Sequence, residues 1–335
     1  MPPQPDHPVP THSPPASSGV TRQSSRSSLA APSGLSTSDS YATTYAKATS
    51  VIKNFQADLG TNTVRFPINP YTVNGSFWSS YTGAIDAATA QGYTITLLPV
   101  VQPTQDLMRG AFTQLDELAV DAVIAIVEVH LLDAATVTLP PRAEVVVVDS
   151  DAGDRYSVVD TDQAEGARQA VRHLLDLGHR TVWHVAGPAE SFAAEHRTRT
   201  WREELERAGC PVPELLRGDW SAESGYHAAQ RLLGEPDCTA VFAANDEMAL
   251  GVLRALHEDG RRVPQDVSVV GFDDISPSAC FVPPLTTVHQ DFAEVGRRCV
   301  DQALRQIRGE PVAHGTSLVP THLVVRESTA PPPSR

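Results

Sequence analysis

Short apolar runs alternate with amphipathic segments along most of the chain, and this alternation constrains the fold more than any other feature. The clearest case is the run Ala240–Ala244, which a helical segment (Asp246–Asp259) separates from a second run, Val267–Val270. Parallel strands that are buried on both faces read as continuous apolar runs, and an intervening helix completes a βαβ unit. The sequence therefore predicts an α/β fold with parallel sheets flanked by helices.

The same pattern recurs on both sides of this unit. It predicts further strands at 63–68, 93–101, 122–127, 144–149, 181–186 and 214–217. It predicts further helices at 41–59, 77–91, 107–118, 163–177, 195–208 and 222–233. A chain of 335 residues can hold two lobes of ordinary domain size. We expect two doubly wound, Rossmann-like lobes that face a cleft.

Composition excludes several classes of protein. The net charge of −14 disfavours a broad nucleic-acid-binding face, and the four cysteines contain no C-x-x-C pair, which favours reduced thiols. No apolar run reaches the roughly 18 residues that a membrane span needs, and the N-terminus lacks the pattern of a secretory signal. Residues 1–36 are rich in Pro and Ser, which predicts a disordered tail. A cytoplasmic location is expected.

Polar residues follow the two apolar runs at the point where each strand should end. Asn245 and Asp246 follow the first run, and Asp273 and Asp274 follow the second. Ligands bind at the carboxyl edge of open α/β sheets, so these residues point to a small-molecule cleft. Asp273 is expected in the cleft and Asp274 in a structural turn. Asn245 is assigned to the ligand because Asp246 can cap the following helix, although Asn245 could itself be the cap.

Several long motifs resemble the effector-binding portion of the LacI/GalR family of transcription regulators. They are HLLDLGHRTVWHVAGP from His173, RGDWSAESGY from Arg217, AANDEMALGVLRAL from Ala243, VSVVGFDD from Val267 and PPLTTVHQDFAEVG from Pro283. The resemblance implies a type I periplasmic-binding-protein-like fold whose chain crosses between lobes near Thr161, Gln290 and Leu318. The N-terminal lobe would hold residues 37–160 and 291–318, and the C-terminal lobe residues 161–290 and 319–330.

The resemblance also assigns residues to the ligand site. Arg197 matches an effector-contacting arginine, with a solvated side chain as the alternative, and Asp149 matches a position near the ligand. The indole of Trp220 could stack on a sugar ring, with core packing as the alternative. Gln290 lies at a lobe crossing, where it could respond to closure. Phe281 is expected to line the cleft wall.

The front of the chain departs from this family. We find no helix-turn-helix head, which would need a compact basic helical unit. Residues of about 38–97, including DLGTNTVRFPINPYTV from Asp58, resemble instead a βαβ piece of the (β/α)8-barrel glycosidases that cleave β-glucans. A composite chain and ordinary divergence are both compatible with this. Asn69 and Tyr71 occupy the loop that should face the ligand, within the segment that departs from the family.

No motif indicates catalysis, a cofactor or a metal. His173, His179 and His184 have no spacing of a metal-ligand pair, and no phosphate-binding glycine motif is present. The leading hypothesis is a sugar sensor of a LacI/GalR-type regulator, which forms a homodimer or a larger assembly and binds operator DNA only if a head is supplied. The resemblance implies that the helix Met248–Glu258 and the first-lobe helices form the dimer face. The alternatives are a stand-alone or engineered sugar-binding domain and, last, a glycosidase fragment.

Overall fold

The computed structural model describes two six-stranded sheets with helices packed against them. The residues that it describes are 63–68, 75–99, 113, 115, 120–126, 143–150, 156–235, 237–312 and 315–334. The predicted tail (1–36) and the predicted helix 41–59 lie outside these residues, as does most of the predicted helix 107–118. Within the described residues, no helix combines the length and apolar character that crossing a membrane requires.

The first sheet defines the first lobe, and it is wholly parallel in the order β11-β5-β4-β3-β1-β2. Its strands are β1 (Thr63–Ile68), β2 (Thr94–Pro99), β3 (Ala122–Ile126), β4 (Glu144–Val148), β5 (Ser157–Thr161) and β11 (Gly315–Val319). Helices α1 (Gly75–Ala90) and α6 (Phe292–Ile307) pack on this sheet. The predicted strands in this lobe are present, but the sequence pattern did not identify β5, β11 or α6.

The second sheet defines the second lobe, in the order β12-β10-β9-β8-β6-β7. Its strands are β6 (Trp183–Ala186), β7 (Leu216–Arg217), β8 (Ala240–Ala243), β9 (Ser268–Asp273), β10 (Thr286–Gln290) and β12 (Thr321–Val324). Its helices are α2 (Gln163–Asp176), α3 (Phe192–Arg207), α4 (Ala222–Leu232) and α5 (Asp246–Glu258). The expected α/β fold is confirmed, with one correction: β12 runs antiparallel to β10, because it returns directly from β11 without a crossover helix.

Side-chain alternation along the central strands of the second lobe builds a core on each face of its sheet. Val241 and Val269 point to the face that α4 and α5 cover, where Met248 is fully buried. Phe242 and Val270 point to the opposite face, against α2 and α3. Strands that are apolar on both faces can only be buried between two layers of helices. This explains the continuous apolar runs in the sequence.

Several element boundaries differ from those expected from the sequence. Helix α3 begins at Phe192 because Ser191 caps it, accepting from the Ala194 N–H. Strand β9 extends through Asp273, which is therefore the last strand residue instead of a loop residue. Strand β7 is only two residues long. The expected limits of the two lobes stay a prediction. They are 37–160 with 291–318 for the N-terminal lobe and 161–290 with 319–330 for the C-terminal lobe, and residues 37–60 lie outside the described residues.

The chain passes between the two sheets at three places, and each passage is one residue long. β5 ends at Thr161 before α2 begins at Gln163, and β10 ends at Gln290 before α6 begins. The third passage separates β11 from β12 at Pro320. The passages are linked, because the Asp162 N–H donates to Val319 O at 2.9 Å and Thr321 Oγ1 donates to Asp162 O at 3.0 Å. Such short connections place β5, β10 and their neighbours at the base of any cleft between the lobes.

Close backbone contact between α4 and α5 makes one glycine a test of the packing. A Cβ on Gly251 would lie 2.0 Å from Ala222 O and 2.4 Å from Tyr226 N, and neither backbone atom can rotate away. We expect Gly251→Ala to lower the free energy of unfolding by about 1–3 kcal/mol, as overpacking does. Urea unfolding measures this. Gly234→Ala is the matched control, since its Cβ would meet nothing nearer than 3.8 Å; equal costs for the two variants would contradict the packing.

Candidate functional site

Backbone strain marks the carboxyl ends of three strands. Asp149 (φ 58°) follows β4, Trp220 (φ 75°) follows β7 and Asp273 (φ 106°) ends β9. Residues other than glycine rarely hold a positive φ, and such strain collects where a binding or catalytic site requires it. All three residues were expected at the ligand site. The strained backbone aims their side chains away from the positions that regular strands would give them.

Arg197 is buried at the centre of this region. Its side chain is 4% exposed; Nε donates to Gln163 Oε1 at 2.8 Å and Nη1 donates to Ala244 O. Its Nη1 also lies 3.6 Å from Asp273 Oδ1, an ion pair between two buried side chains. The alternative of a solvated side chain is therefore wrong. Helix α3 turns this position toward the sheet.

Two aromatic rings hold the guanidinium group of Arg197. Its central carbon lies 3.7 Å from the centroid of the Phe272 ring and 5.6 Å from that of Trp220. Trp220 is half-buried and rests on Gly187, where a Cβ would lie 2.4 Å from the indole. Cation–π contact fixes the plane of the guanidinium and thereby supports one face of the indole. Trp220 thus combines the rim position and the core packing that the sequence had offered as alternatives.

Gln290 connects the site to the passages between the lobes. Its Nε2 donates to Asp273 Oδ1 at 2.6 Å. Its Oε1 accepts from Thr161 Oγ1 and, at 3.3 Å, from Gln163 Nε2. Gln290 and Thr161 are the last residues of β10 and β5, so this bond joins the two sheets directly. Any change in the angle between the lobes must alter this network.

The two adjacent aspartates at the end of β9, Asp273 in the strand and Asp274 directly after it, have different partners. Asp273 faces Arg197 and Gln290, whereas Asp274 Oδ1 accepts from Arg326 Nη2 at 2.6 Å and Asp274 Oδ2 lies 3.0 Å from His289 Nδ1. Asp274 therefore has a structural environment near the C-terminal segment. Asp273 has the cleft environment that the sequence assigned to it, and its role toward a ligand stays a prediction.

The expectation that Asp246 caps α5 is wrong, the alternative in which Asn245 is the cap is correct, and the ligand role of Asn245 stays a prediction. Asn245 is the N-cap of α5: its Oδ1 accepts the Met248 N–H at 2.8 Å, and its Nδ2 donates to Trp220 O at 3.0 Å. Asp246 accepts instead from Ile275 N at 2.9 Å and from the hydroxyls of Ser278 and Thr287. The extended backbone of Asn245 suits a cap, whereas Asp246 is already helical and points inward.

The remaining candidate residues lie in different parts of the chain. Phe281 follows the short 3-10 helix Ser276–Cys280 and packs against the core under α5. Asn69 and Tyr71 lie outside the described residues. His184 is fully buried and stacks on Phe242 at 4.7 Å between ring centroids, and burial lowers its pKa to about 3.

Asp160 is a buried residue of the site that the sequence analysis missed. It is 5% exposed, near the end of β5, and its Oδ1 accepts the Thr161 N–H at 2.6 Å. Burial, followed by the nearby charge of Asp149, raises the pKa of its carboxyl group to about 7. Burial also raises the pKa of Asp273 to about 7, although Arg197 opposes the shift. The available signal was an acidic residue directly after the valine pair Val158 and Val159.

The raised pKa of Asp160 predicts a pH-dependent stability. The unfolded chain releases this proton near pH 4 and the folded chain near pH 7, so stability from this group is complete below pH 4 and is lost as pH rises to about 7. At about pH 8 the free energy of unfolding of Asp160→Asn should therefore exceed that of the parent by on the order of 1–3 kcal/mol. Near pH 4 the variant should be no more stable than the parent. Urea unfolding at both pH values measures this.

Asp301→Asn, on the exposed face of α6, is the matched control because it removes the same charge from a solvated position. It should leave the stability nearly unchanged at both pH values. A constant difference between Asp160→Asn and the parent across the pH range would contradict a buried carboxyl group that titrates near neutrality.

Known proteins were compared with the chain and its fold. A model of the periplasmic binding protein-like domain matches residues 171–329. The lactose operon repressor of Klebsiella pneumoniae is 36% identical over 237 residues, which cover 69% of this chain and 67% of that protein. The lactose operon repressor of Escherichia coli K12 is 43% identical over 169 residues, 50% of this chain and 47% of that protein.

The chain belongs to the LacI/GalR family.

A solved relative in the LacI/GalR family shares the fold. The lac repressor dimer bound to operator and the anti-inducer ONPF has a TM-score of 0.75 and 29% identity, over 84% of this chain and 98% of that one. The described lobes are thus the effector-binding domain that the sequence motifs indicated. The aligned chain spans about half the length of the Escherichia coli relative and two thirds of the Klebsiella relative.

Proposed function

We propose that the cleft between the lobes binds a small carbohydrate and that the chain is the sensing part of a regulator of carbohydrate-use genes. The observation that carries the proposal is the arrangement of Trp220, Arg197, Asp273 and Gln290 around one buried ion pair. An indole offers an apolar face for a sugar ring, and carboxylate and amide groups accept and donate to hydroxyl groups. The names of the relatives, lactose operon repressors, agree with this chemistry.

Ligand binding would act on the lobe arrangement through the passages between the sheets. Gln290 bonds to Asp273 in the site and to Thr161 at the end of β5. A ligand hydroxyl that competes for Asp273 would change the hydrogen bonds that join β5 and β10. A ligand shifts a conformational equilibrium only by its differential affinity for the two states, and this network supplies such a difference. Asp149, Asn245 and Phe281 complete the proposed binding set.

Dimerisation through α5 is part of the same proposal. Leu250 is 42% exposed on this helix. On its neighbouring surface Arg254 pairs with Glu258 at 2.9 Å, and Tyr226 Oη donates to the same carboxylate at 2.6 Å. An exposed leucine with a polar rim is typical of an association surface. We propose a homodimer in the cytoplasm, which binds operator DNA when a helix-turn-helix head is supplied, and no catalysis or cofactor.

A thermal-shift screen tests the sensing function. Glucose, galactose, lactose and cellobiose are titrated against the whole chain. A binder should raise the midpoint temperature of unfolding with concentration, since a hundredfold excess over Kd adds about 2.7 kcal/mol to the free energy of unfolding. Absence of any shift across the panel would contradict a carbohydrate sensor.

Two further assays distinguish the alternative functions. A mobility-shift assay with a palindromic operator separates a regulator from a stand-alone binding domain. Release of reducing sugar from a β-glucan would support the glycosidase alternative.

A further inference from the structure

The positive charge at the centre of the site is already committed to the protein. Arg197 donates from Nε to Gln163 and from Nη1 to Ala244 O, and it pairs with Asp273. Trp220 and Phe272 flank its guanidinium group. An anionic ligand that paired with Arg197 would have to displace the buried carboxylate of Asp273. That carboxylate would then lack a counter-charge in a desolvated position.

Acidic groups outnumber this cation among the described residues around it. Four aspartates act on Arg197 electrostatically, in the order Asp273, Asp149, Asp160 and Asp246. Asp149 and Asp160 belong to the first lobe, and Asp246 and Asp273 belong to the second, so acidic groups stand on both sides of the site. Glu247 adds a further negative charge that Asp273 experiences.

A second arginine, Arg217, lies near the rim of the site. Arg217 ends β7 and is exposed, and its Nη1 donates to Gly187 O at 2.9 Å. Its charge reaches His184, behind the sheet edge, where it disfavours protonation. An exposed cation is screened by solvent, so it cannot offset buried carboxylates in the interior of the site.

Carboxylates accept hydrogen bonds and cannot donate them, so this environment suits a ligand that brings O–H donors and no negative charge. We propose that the effector is an uncharged polyhydroxylated molecule and that Asp149, Asp160 and Asp273 exclude its carboxylated or phosphorylated counterpart. This inference rests on the proposed function and narrows it to neutral sugars. Asp160 then has a part in specificity without a bonded contact to the sugar.

Matched pairs of ligands test the exclusion on the whole chain. The neutral sugars glucose, galactose, lactose and cellobiose are compared by calorimetric titration with the uronates made by oxidising the C6 hydroxymethyl group of their non-reducing ring. The two members of a pair differ by one charge in nearly the same shape. We expect the uronate of any sugar that binds to bind at least about tenfold more weakly at physiological ionic strength.

The discrimination should depend on pH and on Asp160. The carboxyl group of Asp160 interacts electrostatically with Asp149, Arg197 and Cys299. The carboxyl group of Asp273 interacts electrostatically with Arg197, Asp246 and Glu247. The pKa values of the Asp160 and Asp273 carboxyl groups are about 7, so both lose protons as the solution passes from about pH 6 to about pH 8. The uronate stays ionised over this range. The ratio of the affinity for the neutral sugar to the affinity for its uronate should therefore increase with rising pH.

Asp160→Asn should lower the ratio of sugar affinity to uronate affinity several-fold at about pH 8, because the substitution removes one negative charge from the site. Asp301→Asn, on the exposed face of α6, should leave the ratio unchanged. A uronate that binds within about threefold of its sugar, or a ratio that Asp160→Asn does not change, would overturn the inference while the sensing function stands. If no sugar of either charge binds, the proposed function fails, and the inference fails with it.

Discussion

Arg197→Met should lower the free energy of unfolding by about 3–5 kcal/mol, the cost of leaving a buried carboxylate without its partner. In the folded protein Asp273, Gln163 Oε1 and Ala244 O all lose the N–H groups that face them. Methionine retains much of the side-chain length beside Phe272, so the loss reports charge and hydrogen bonding more than volume. Urea unfolding at neutral pH, with the midpoint and slope fitted together, measures the change.

Arg199→Met is the matched control for this experiment. Arg199 lies two residues along the same helix and is exposed, with its Nη2 beside His196. Its replacement should change stability by less than about 0.5 kcal/mol. A second variant, Arg197→Met with Asp273→Asn, should recover part of the loss because the unpaired charge is removed. Equal stabilities for Arg197→Met and Arg199→Met would mean that Arg197 is not the buried partner of Asp273.

Trp220→Ala should weaken sugar binding by at least about 30-fold, the loss expected when a central aromatic contact worth about 2 kcal/mol is removed. The indole is half-buried, its six-membered ring lies beside Gly187, and the central carbon of the Arg197 guanidinium lies 5.6 Å from its ring centroid. Alanine keeps the same strained backbone position, with φ at 75°, and removes the ring alone. Calorimetric titration with the sugar that gives the largest thermal shift measures the affinity of the folded variant.

Trp220→Phe is the control that separates stacking from general damage. It retains an aromatic ring at the same position and should lose only a few-fold in affinity, whereas both variants lose packing on Gly187. Helical content by circular dichroism should be unchanged in both. Full affinity in Trp220→Ala would remove the indole from the binding set and contradict the proposed sugar platform.

The predictions for Arg197 and Trp220 concern neighbouring residues with different exposure, and they distinguish an effect on stability from an effect on ligand affinity. Arg197 is 4% exposed and is held mainly by protein atoms, so its loss should appear first in stability. Trp220 is half-buried, so its loss should appear first in affinity. A variant of Arg197 that stays fully stable but loses the ligand would reverse this division and would assign the guanidinium chiefly to the sugar.

Periodicity in the sequence predicted most of the elements and the edge where the candidate site lies. Apolar runs such as Val267–Val270 can only be strands buried on both faces, and the helix predicted at 222–233 starts directly after Ser221, the polar residue that caps it. These are local consequences of periodicity and of unsatisfied N–H groups at helix starts, so they are readable within one window of the chain. The same locality placed Asp273 and Trp220 at strand ends.

Which polar groups meet, and which of them carry charge, depends on the three-dimensional packing of the two lobes. Gln290 reaches Thr161, 129 residues away in sequence, and Asp246 reaches Thr287 and Ser278, which leaves Asn245 to cap α5. The carboxyl group of Asp160 takes its pKa of about 7 from burial and from the charge of Asp149, which follows the neighbouring strand β4. Desolvation and through-space electrostatics depend on the surrounding three-dimensional packing, and no local pattern of residues encodes them.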